Sequence, residues 1–180
     1  MQYDYYLVID LEATCCDGCT FPQREMEIIE IGAVMADARS LQPVDEFGSF
    51  VRPVRNPTLT PFCTDLTSIT QQQVDSADEF RVVLDRLVGW AVQYPNHLFC
   101  SWGDYDRKQL TRDCSFHRIR YPFGDHLNLK RAFAERMGLR KPEGMKGALR
   151  KVGLQLQGTH HRGIDDARNI AQLLPYIVKE

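Results

Sequence analysis

Three apolar runs with turn signals between them open the chain, at residues 5–10, 28–35 and 46–51. Apolar runs of this length, bounded by turn residues, are typical of β-strands. We therefore expect the chain to begin with an antiparallel meander of three strands.

The chain then leaves the meander through an irregular crossing. Residues 52–63 contain three prolines, which predict a crossing without regular structure that ends near a short helical turn at 69–74. Apolar residues recur at intervals of three and four over 80–91, and this period predicts an amphipathic helix. Pro95 lies just beyond it and marks its end.

The second half of the chain is predicted to contain one strand and several helices. A short apolar segment at 98–101 lies between turn signals and predicts a buried strand parallel to the first. Further helices are predicted over residues 105–116, 127–137, 145–152 and 165–178. This order of elements predicts an α/β fold, a mixed sheet with helices packed on its faces. Because 180 residues with 43% hydrophobic composition can bury one sizeable core, we expect one domain over 1–180.

Net charge excludes a strongly basic protein. Lys and Arg number 22 against 24 Asp and Glu, for a formal charge of −2, so a polyanion would have to be met by a local patch. One segment is distinctly basic, with these cations: Lys130, Arg131, Arg136, Arg140, Lys141, Lys146, Arg150 and Lys151. Two interpretations stay open for it, solvated helix faces or a patch that follows phosphates.

The N-terminus lacks the features of a secretory signal, and no segment approaches 18 consecutive apolar residues, so we expect a cytoplasmic protein. The six cysteines should then be mostly reduced thiols. The loop "CCDGC", with Cys15, Cys16 and Cys19, could supply half a zinc site through its Cys-x-x-Cys spacing. No second such pair appears in the sequence, which favours free thiols.

The first candidate functional residues lie at the end of the first predicted strand. In "YYLVIDLEAT", Asp10 and Glu12 stand on either side of Leu11, where apolar alternation should continue. Because side chains alternate across a strand, both carboxylates point to one face, about 7 Å apart along the chain. They could share a ligand or mark a solvated strand end.

Two more acidic residues should return to the same end of the sheet. Asp106 begins the helix that follows the strand at 98–101, and Asp166 lies in the first turn of the last helix. Either could be a helix cap, because the macrodipole favours a carboxylate near a helix N-terminus. Together with Asp10 and Glu12, however, they would crowd four like charges, an arrangement that is costly unless a cation lies among them.

The donor set indicates the type of cation and reaction. Hard oxygen ligands favour Mg²⁺ or Mn²⁺, and two such ions about 4 Å apart can stabilise both the attacking and the leaving oxygen of a phosphodiester. His161 lies five residues before Asp166, on the loop that enters the last helix. It could take the proton of the attacking water near neutral pH, although a loop histidine is more often simply solvated.

These residues resemble the DEDDh exonucleases, whose pattern is Asp-x-Glu, a later aspartate after a strand, and His-x-x-x-x-Asp. The resemblance continues through "IDLEATC", "EIIEIGAV", "FVRP", "TPFCTDLTSITQQQVDSA", "SWGDYDRKQL" and "HRGIDDARNIA", and so covers nearly the whole chain. The chain looks most like the Eri-1-like branch, which contains histone-mRNA 3′-end exonucleases and bacterial homologues. The resemblance implies an RNase H-like fold, with a central five-stranded mixed sheet flanked by helices.

The resemblance also implies a role for each matching residue. Two Mg²⁺ or Mn²⁺ ions would be held by Asp10, Glu12, Asp106 and Asp166. His161 would be the general base, and it is preferred to His160 because only His161 has four residues between it and the last aspartate. Asp106 is preferred to Asp104 because the family's aspartate directly follows an aromatic residue, here Tyr105.

Two aromatic residues complete the implied site. Phe62 and Tyr105 would lie on either side of the 3′-terminal base. Stacking of this kind tolerates any base and suits a nuclease. Both side chains could instead be ordinary core aromatics.

We therefore expect a metal-dependent 3′→5′ exonuclease that releases nucleoside 5′-monophosphates from single-stranded 3′ ends. RNA is favoured over DNA as the partner, and no membrane partner is expected. A proofreading-type DNA exonuclease would use the same residues, because the sequence does not show how a 2′-hydroxyl is read. A catalytically inactive fold that binds RNA is the other alternative, and the presence of every expected catalytic residue argues against it.

Overall fold

The computed structural model describes residues 2–18 and 21–178. Within them the strands are β1 Tyr5–Ala13, β2 Ile28–Asp37, β3 Pro43–Phe50, β4 His97–Ser101 and β5 His126–Asn128. The α-helices are α1 Pro61–Thr67, α2 Gln71–Asp75, α3 Phe80–Ala91, α4 Tyr105–Phe116, α5 Leu129–Arg136, α6 Met145–Lys151 and α7 Gly163–Ala171. Short 3₁₀ helices cover Gln23–Glu25 and Leu174–Tyr176. None of these helices combines the length and apolar character that crossing a bilayer requires.

The strands form one mixed sheet in the order β3-β2-β1-β4-β5. β1, β2 and β3 pair antiparallel, and β4 and β5 continue the sheet in parallel with β1. The predicted meander, the parallel fourth strand and the five-stranded mixed sheet are confirmed. Because the carboxyl ends of β1, β4 and β5 meet at one edge, residues that follow these strands come together there.

The predicted start of the helix over residues 127–137 is wrong. The sequence predicts a helix over residues 127–137 from the first residue, but His126–Asn128 is a strand whose Leu127 lies opposite Cys100 in β4. The helix begins at Leu129, where the Asn128 side chain accepts a hydrogen bond from the Arg131 amide and caps the first turn. Three strand residues are too few for apolar periodicity to separate them from the helix that follows.

Three other elements differ from the sequence-based expectation. β1 extends to Ala13 rather than Asp10, so both of its carboxylates lie within the strand. The irregular crossing ends in α1, which begins at Pro61 and is capped by the Thr60 hydroxyl on the Cys63 amide at 3.0 Å. The last helix ends at Ala171, and the 3₁₀ turn after it contains Pro175, a residue that cannot continue an α-helix because it lacks an amide hydrogen.

Each face of the sheet has its own core. Alternation along β1 sends Leu7 and Ile9 toward α3 and α4, and Val8 toward α5, α6 and α7. Asp10 and Glu12 follow Val8 by two and four residues, so their side chains lie on the same face of the sheet as that of Val8. Their carboxylates therefore point to the side of the sheet on which α7 packs.

α7 approaches the sheet at a point where no side chain could fit. A Cβ on Gly32 of β2 would lie 2.0 Å from the backbone carbon of Gly163, and a Cβ on Gly163 would lie 3.1 Å from the carbonyl oxygen of Asp10. Two glycines in contact let the first turn of α7 rest on the backbones of β1 and β2. This close packing brings Asp166 to the carboxylates of β1.

Candidate active site

All four predicted acidic residues line one cavity of about 400 Å³ at the carboxyl end of β1. Asp10, Glu12 and Asp166 each place one carboxylate oxygen within 4.8 Å of the others. Asp106 joins them from α4, where its Oδ1 accepts a hydrogen bond of 3.1 Å from the Leu11 amide of β1. We call this space the catalytic cavity; its other lining residues include Cys15, Leu66, Trp102, Tyr105, Met145, His160 and His161.

α4 is held in place by polar contacts with the start of β2. The buried carboxylate of Asp113 accepts a hydrogen bond of 3.0 Å from the Ile28 amide. One turn earlier, the Gln109 amide donates to the Met26 carbonyl at 2.8 Å. These contacts fix α4, whose first turn contains Asp106. The Asp106 side chain is buried, and the residue is only 4% exposed.

An ion pair between buried Glu30 and partly buried Arg162 holds the loop that leads into α7, and the sequence pattern did not reveal it. The Arg162 guanidinium donates to Glu30 through Nε at 3.1 Å and Nη2 at 3.0 Å, and the Gly163 amide donates to the same carboxylate at 2.9 Å. Glu30 lies directly opposite Glu12 in the β1–β2 register. The available signal was an acidic residue inside the apolar run of β2, which only a buried partner can compensate.

Three of the four acidic residues of the catalytic cavity resist ionisation. Burial, together with the charge of Asp106, raises the pKa of Asp10 well above its ordinary value. Burial also raises the pKa of Glu12 to about 8 and that of Asp106 to about 7. Such groups ionise together only when a cation compensates them. The clustered oxygen donors fit divalent ions of the Mg²⁺ or Mn²⁺ type.

Two adjacent histidines stand over the carboxylates, with ring centroids 3.9 Å apart. His160 hydrogen-bonds Asp166 through Nδ1 at 2.9 Å. The His161 amide donates to the same carboxylate at 3.0 Å, and its ring Nδ1 lies 3.9 Å from Glu12 Oε1. The His161 side chain is 40% exposed and that of His160 27%. His161 therefore keeps a more accessible ring, which fits the predicted base, although the assignment stays a prediction.

The electrostatic environment of His161 also suits a base. Burial and the nearby charge of His160 lower the pKa of the His161 imidazole. A lowered pKa leaves the ring neutral near pH 7, with a lone pair free to accept a proton. Lys146 at the start of α6 contributes to the same shift, so one cation of the basic segment lies close to the cavity.

The two predicted stacking residues occupy different positions. Tyr105 lines the catalytic cavity. Phe62 lies in the first turn of α1 and is 40% exposed, so it is not a core aromatic. Leu66, one turn further along α1, lines the cavity instead. The sandwich of a terminal base between Phe62 and Tyr105 stays a prediction.

Asp104, the alternative to Asp106, faces away from the cavity. Its carboxylate lies 3.8 Å from both Arg107 and Arg131 and 3.9 Å from His126. Of the cysteine loop, Cys15 reaches the catalytic cavity. Cys19 falls outside the described residues, so the zinc interpretation of this loop is untested.

Comparison with known proteins agrees with this geometry. The RNase_T family, described as exonuclease, matches residues 7–174. The chain is 36% identical to mouse ERI1 exoribonuclease 3 over 184 residues, which is 96% of this chain and 53% of that protein. It is 35% identical to human 3′-5′ exoribonuclease 1 over 181 residues, which is 95% of this chain and 51% of that protein.

A solved structure extends the similarity to three dimensions. The nuclease domain of 3′hExo, a DEDDh family member bound to rAMP, superposes with a TM-score of 0.89 and 34% identity, over 95% of this chain and 90% of that one. The predicted RNase H-like exonuclease fold is thereby confirmed. The chain spans about half the length of the two relatives that it matches by sequence.

Proposed function

The chain belongs to the RNase_T family of exonucleases, and we propose that it is a metal-dependent 3′→5′ exonuclease that acts on single-stranded 3′ ends, with RNA favoured. One observation carries the proposal: four acidic residues and a histidine from β1, α4 and the start of α7 meet in one cavity. Similarity to a 3′-5′ exoribonuclease and to a nuclease domain bound to rAMP supports the polarity and the RNA preference.

The acidic residues would hold two divalent ions, Mg²⁺ or Mn²⁺, and these are Asp10, Glu12, Asp106 and Asp166. When bound, such ions stabilise the negative charge that develops on the phosphodiester oxygens. The cavity's own carboxylates are arranged by β1 and by the fixed N-termini of α4 and α7, so little rearrangement is needed before the reaction.

Hydrolysis then proceeds by one displacement. His161 takes a proton from a water molecule while the oxygen of that water attacks the last phosphorus of the strand. The bond between that phosphorus and the 3′ oxygen of the preceding nucleotide breaks, and the 3′ oxygen takes up a proton. The products are a nucleoside 5′-monophosphate and a strand shorter by one nucleotide. Phe62 and Tyr105 would hold the terminal base during this step.

Digestion of 5′-end-labelled RNA and DNA of identical sequence tests the proposal. With Mg²⁺ or Mn²⁺ we expect a ladder that shortens from the 3′ end, faster on RNA, and no digestion when EDTA is present. Faster digestion of DNA would indicate the proofreading-type alternative. Binding of RNA with no cleavage under any divalent ion would indicate a non-catalytic RNA-binding module and would contradict the proposal.

We also propose that residues 1–180 form one domain. The cytoplasmic location stays a prediction from the sequence.

A further inference from the structure

A second, strongly basic cleft adjoins the catalytic cavity. It has a volume of about 610 Å³ and is lined by Gln23, Tyr105, Arg107, Lys108, Thr111 and Arg112. Three of these six residues are cations and none is acidic. We call this space the basic cleft. Its charge contrasts with the −2 of the whole chain and is the kind of local patch that an anionic ligand requires.

Tyr105 connects the two spaces, since it lines both the catalytic cavity and the basic cleft. Lys108 and Arg112 follow it at intervals of three and four along α4, and these spacings place all three side chains on one face of the helix. The helix whose first turn supplies Asp106 thus also presents a row of cations that leads away from the catalytic cavity.

The cations of the cleft are only weakly compensated by the protein. Arg112 donates to two neutral oxygens, the Gln23 carbonyl at 3.1 Å and the Gln109 side chain at 2.7 Å. Arg107 approaches Asp104 no closer than 3.8 Å. The Nε atoms of both arginines are buried and have no hydrogen-bond partner among the described residues. Lys108 is exposed and forms no ion pair with any residue in 2–18 or 21–178.

We propose that the basic cleft binds backbone phosphates of the substrate strand on the 5′ side of the scissile bond. This inference rests on the proposed function. A 3′→5′ exonuclease removes the last nucleotide, so the rest of the strand must leave the catalytic cavity in the 5′ direction. A cationic cleft that begins at Tyr105 lies where that strand can continue. Contacts with phosphates position a strand without reading its sequence, as digestion from any 3′ end requires.

Lys108→Glu tests the inference with little risk to the fold, because Lys108 is exposed. The matched control is Arg39→Glu, the same change in charge at an exposed residue beyond β2, at the opposite end of β1 from the carboxylates. Measurements are kcat/KM on oligoadenylates of increasing length at several KCl concentrations, and the inhibition constant of adenosine 5′-monophosphate.

For the wild-type chain we expect kcat/KM to rise with length up to an octamer and to fall with salt. Lys108→Glu should lower the octamer value at low salt about tenfold, and make the slope of log(kcat/KM) against log[KCl] shallower by about 0.7 for each phosphate that the cleft no longer binds. Inhibition by adenosine 5′-monophosphate should be unchanged, because this ligand occupies only the catalytic cavity. Arg39→Glu should match the wild type throughout.

Two results would overturn the inference. Lys108→Glu could match Arg39→Glu on the octamer, or it could weaken binding of the mononucleotide as much as it lowers kcat/KM on the octamer. A wild-type chain that digests no strand would instead contradict the proposed function. In that case, binding of phosphates by the basic cleft would be tested by measuring the salt dependence of octamer binding by fluorescence anisotropy, with the same two variants.

Discussion

Three carboxyl groups of the catalytic cavity, on Asp10, Glu12 and Asp106, have raised pKa values because burial and their mutual repulsion both favour the neutral form. Ionisation of such a cluster disfavours folding unless a cation compensates the charge. Because these groups are the proposed metal ligands, single-residue changes should separate activity from stability.

Asp10→Asn and Asp166→Asn should each abolish cleavage, because each removes the charge of a proposed metal ligand. Each also relieves repulsion in a crowded site. We therefore expect the melting temperature measured in EDTA to hold or rise while Mg²⁺-dependent digestion is lost. Near-normal digestion by either variant would show that the ligand assignment is wrong.

His161→Ala should lower turnover by about 10² to 10⁴, the usual effect of losing a general base, with little change in the concentration of Mg²⁺ needed for activity. His160→Ala is the matched control, since its ring lies against that of His161. It should reduce turnover much less. Equal losses in the two variants would remove the basis for assigning the base to His161.

Phe62→Ala tests how the 3′ end is held. Stacking contributes about 1 to 3 kcal/mol per base and does not depend on the base, so the variant should weaken binding of all four nucleoside monophosphates alike. Because Phe62 is 40% exposed, its truncation should cost less stability than the ~3 to 5 kcal/mol of a buried Phe. Unchanged nucleotide affinity in a destabilised protein would disprove the stacking role.

At the scale of elements, α7 determines whether the site exists. Its first turn rests on β1 and β2 through Gly32 and Gly163, and the Glu30–Arg162 pair fixes the loop that carries both histidines. Neither side chain is a proposed metal ligand, and we expect the pair to act by positioning Asp166.

Glu30→Gln should lower the free energy of unfolding by about 1.5 to 3 kcal/mol, the range for a hydrogen bond to a charged group, and reduce turnover by displacing the loop. Glu46→Gln is the control. Glu46 pairs with Arg168 of α7 on the exposed surface, where such pairs contribute about 0 to 1 kcal/mol. Chemical denaturation and digestion rates of the two variants are the measurements. Equal effects of both would show that burial of the Glu30 pair is unimportant.

The sequence predicts the long elements and the acidic residues well, because amphipathic periodicity and the Asp-x-Glu pattern are local signals. It misses β5, since Leu127 alone cannot distinguish a short strand from the start of α5. It also misses Glu30 and Arg162, whose partnership joins residues 132 positions apart and becomes visible only once β2 and α7 are in contact.

At the scale of the whole molecule, the core lies on both faces of one sheet, and the charged chemistry gathers at one of its edges. A pH-dependent stability follows from this separation. The folded pKa of Glu12 is about 8, against an ordinary value of 4.5. The folded state thus holds this proton more tightly than the unfolded state does. The resulting contribution to the free energy of unfolding is fully present below about pH 4.5 and is lost as the pH rises through about 8.

In EDTA we thus expect the melting temperature to fall by several degrees between about pH 5 and pH 8.5. Mg²⁺ should raise the melting temperature more at pH 8 than at pH 6, because the ionised carboxyl groups are its proposed ligands. Melting curves at matched ionic strength measure both effects. A melting temperature in EDTA that rises over this range would contradict the assigned shifts.

The most direct test of the proposed function is the identity of the first product. An RNA strand whose last internucleotide phosphate carries ³²P would be digested with Mg²⁺ in water enriched in ¹⁸O. The proposed function predicts that the label is released first, as a nucleoside 5′-monophosphate with one ¹⁸O on its phosphorus. Retention of the label on the shortened strand as a 3′-phosphate, or release of labelled oligonucleotides before any mononucleotide, would contradict it.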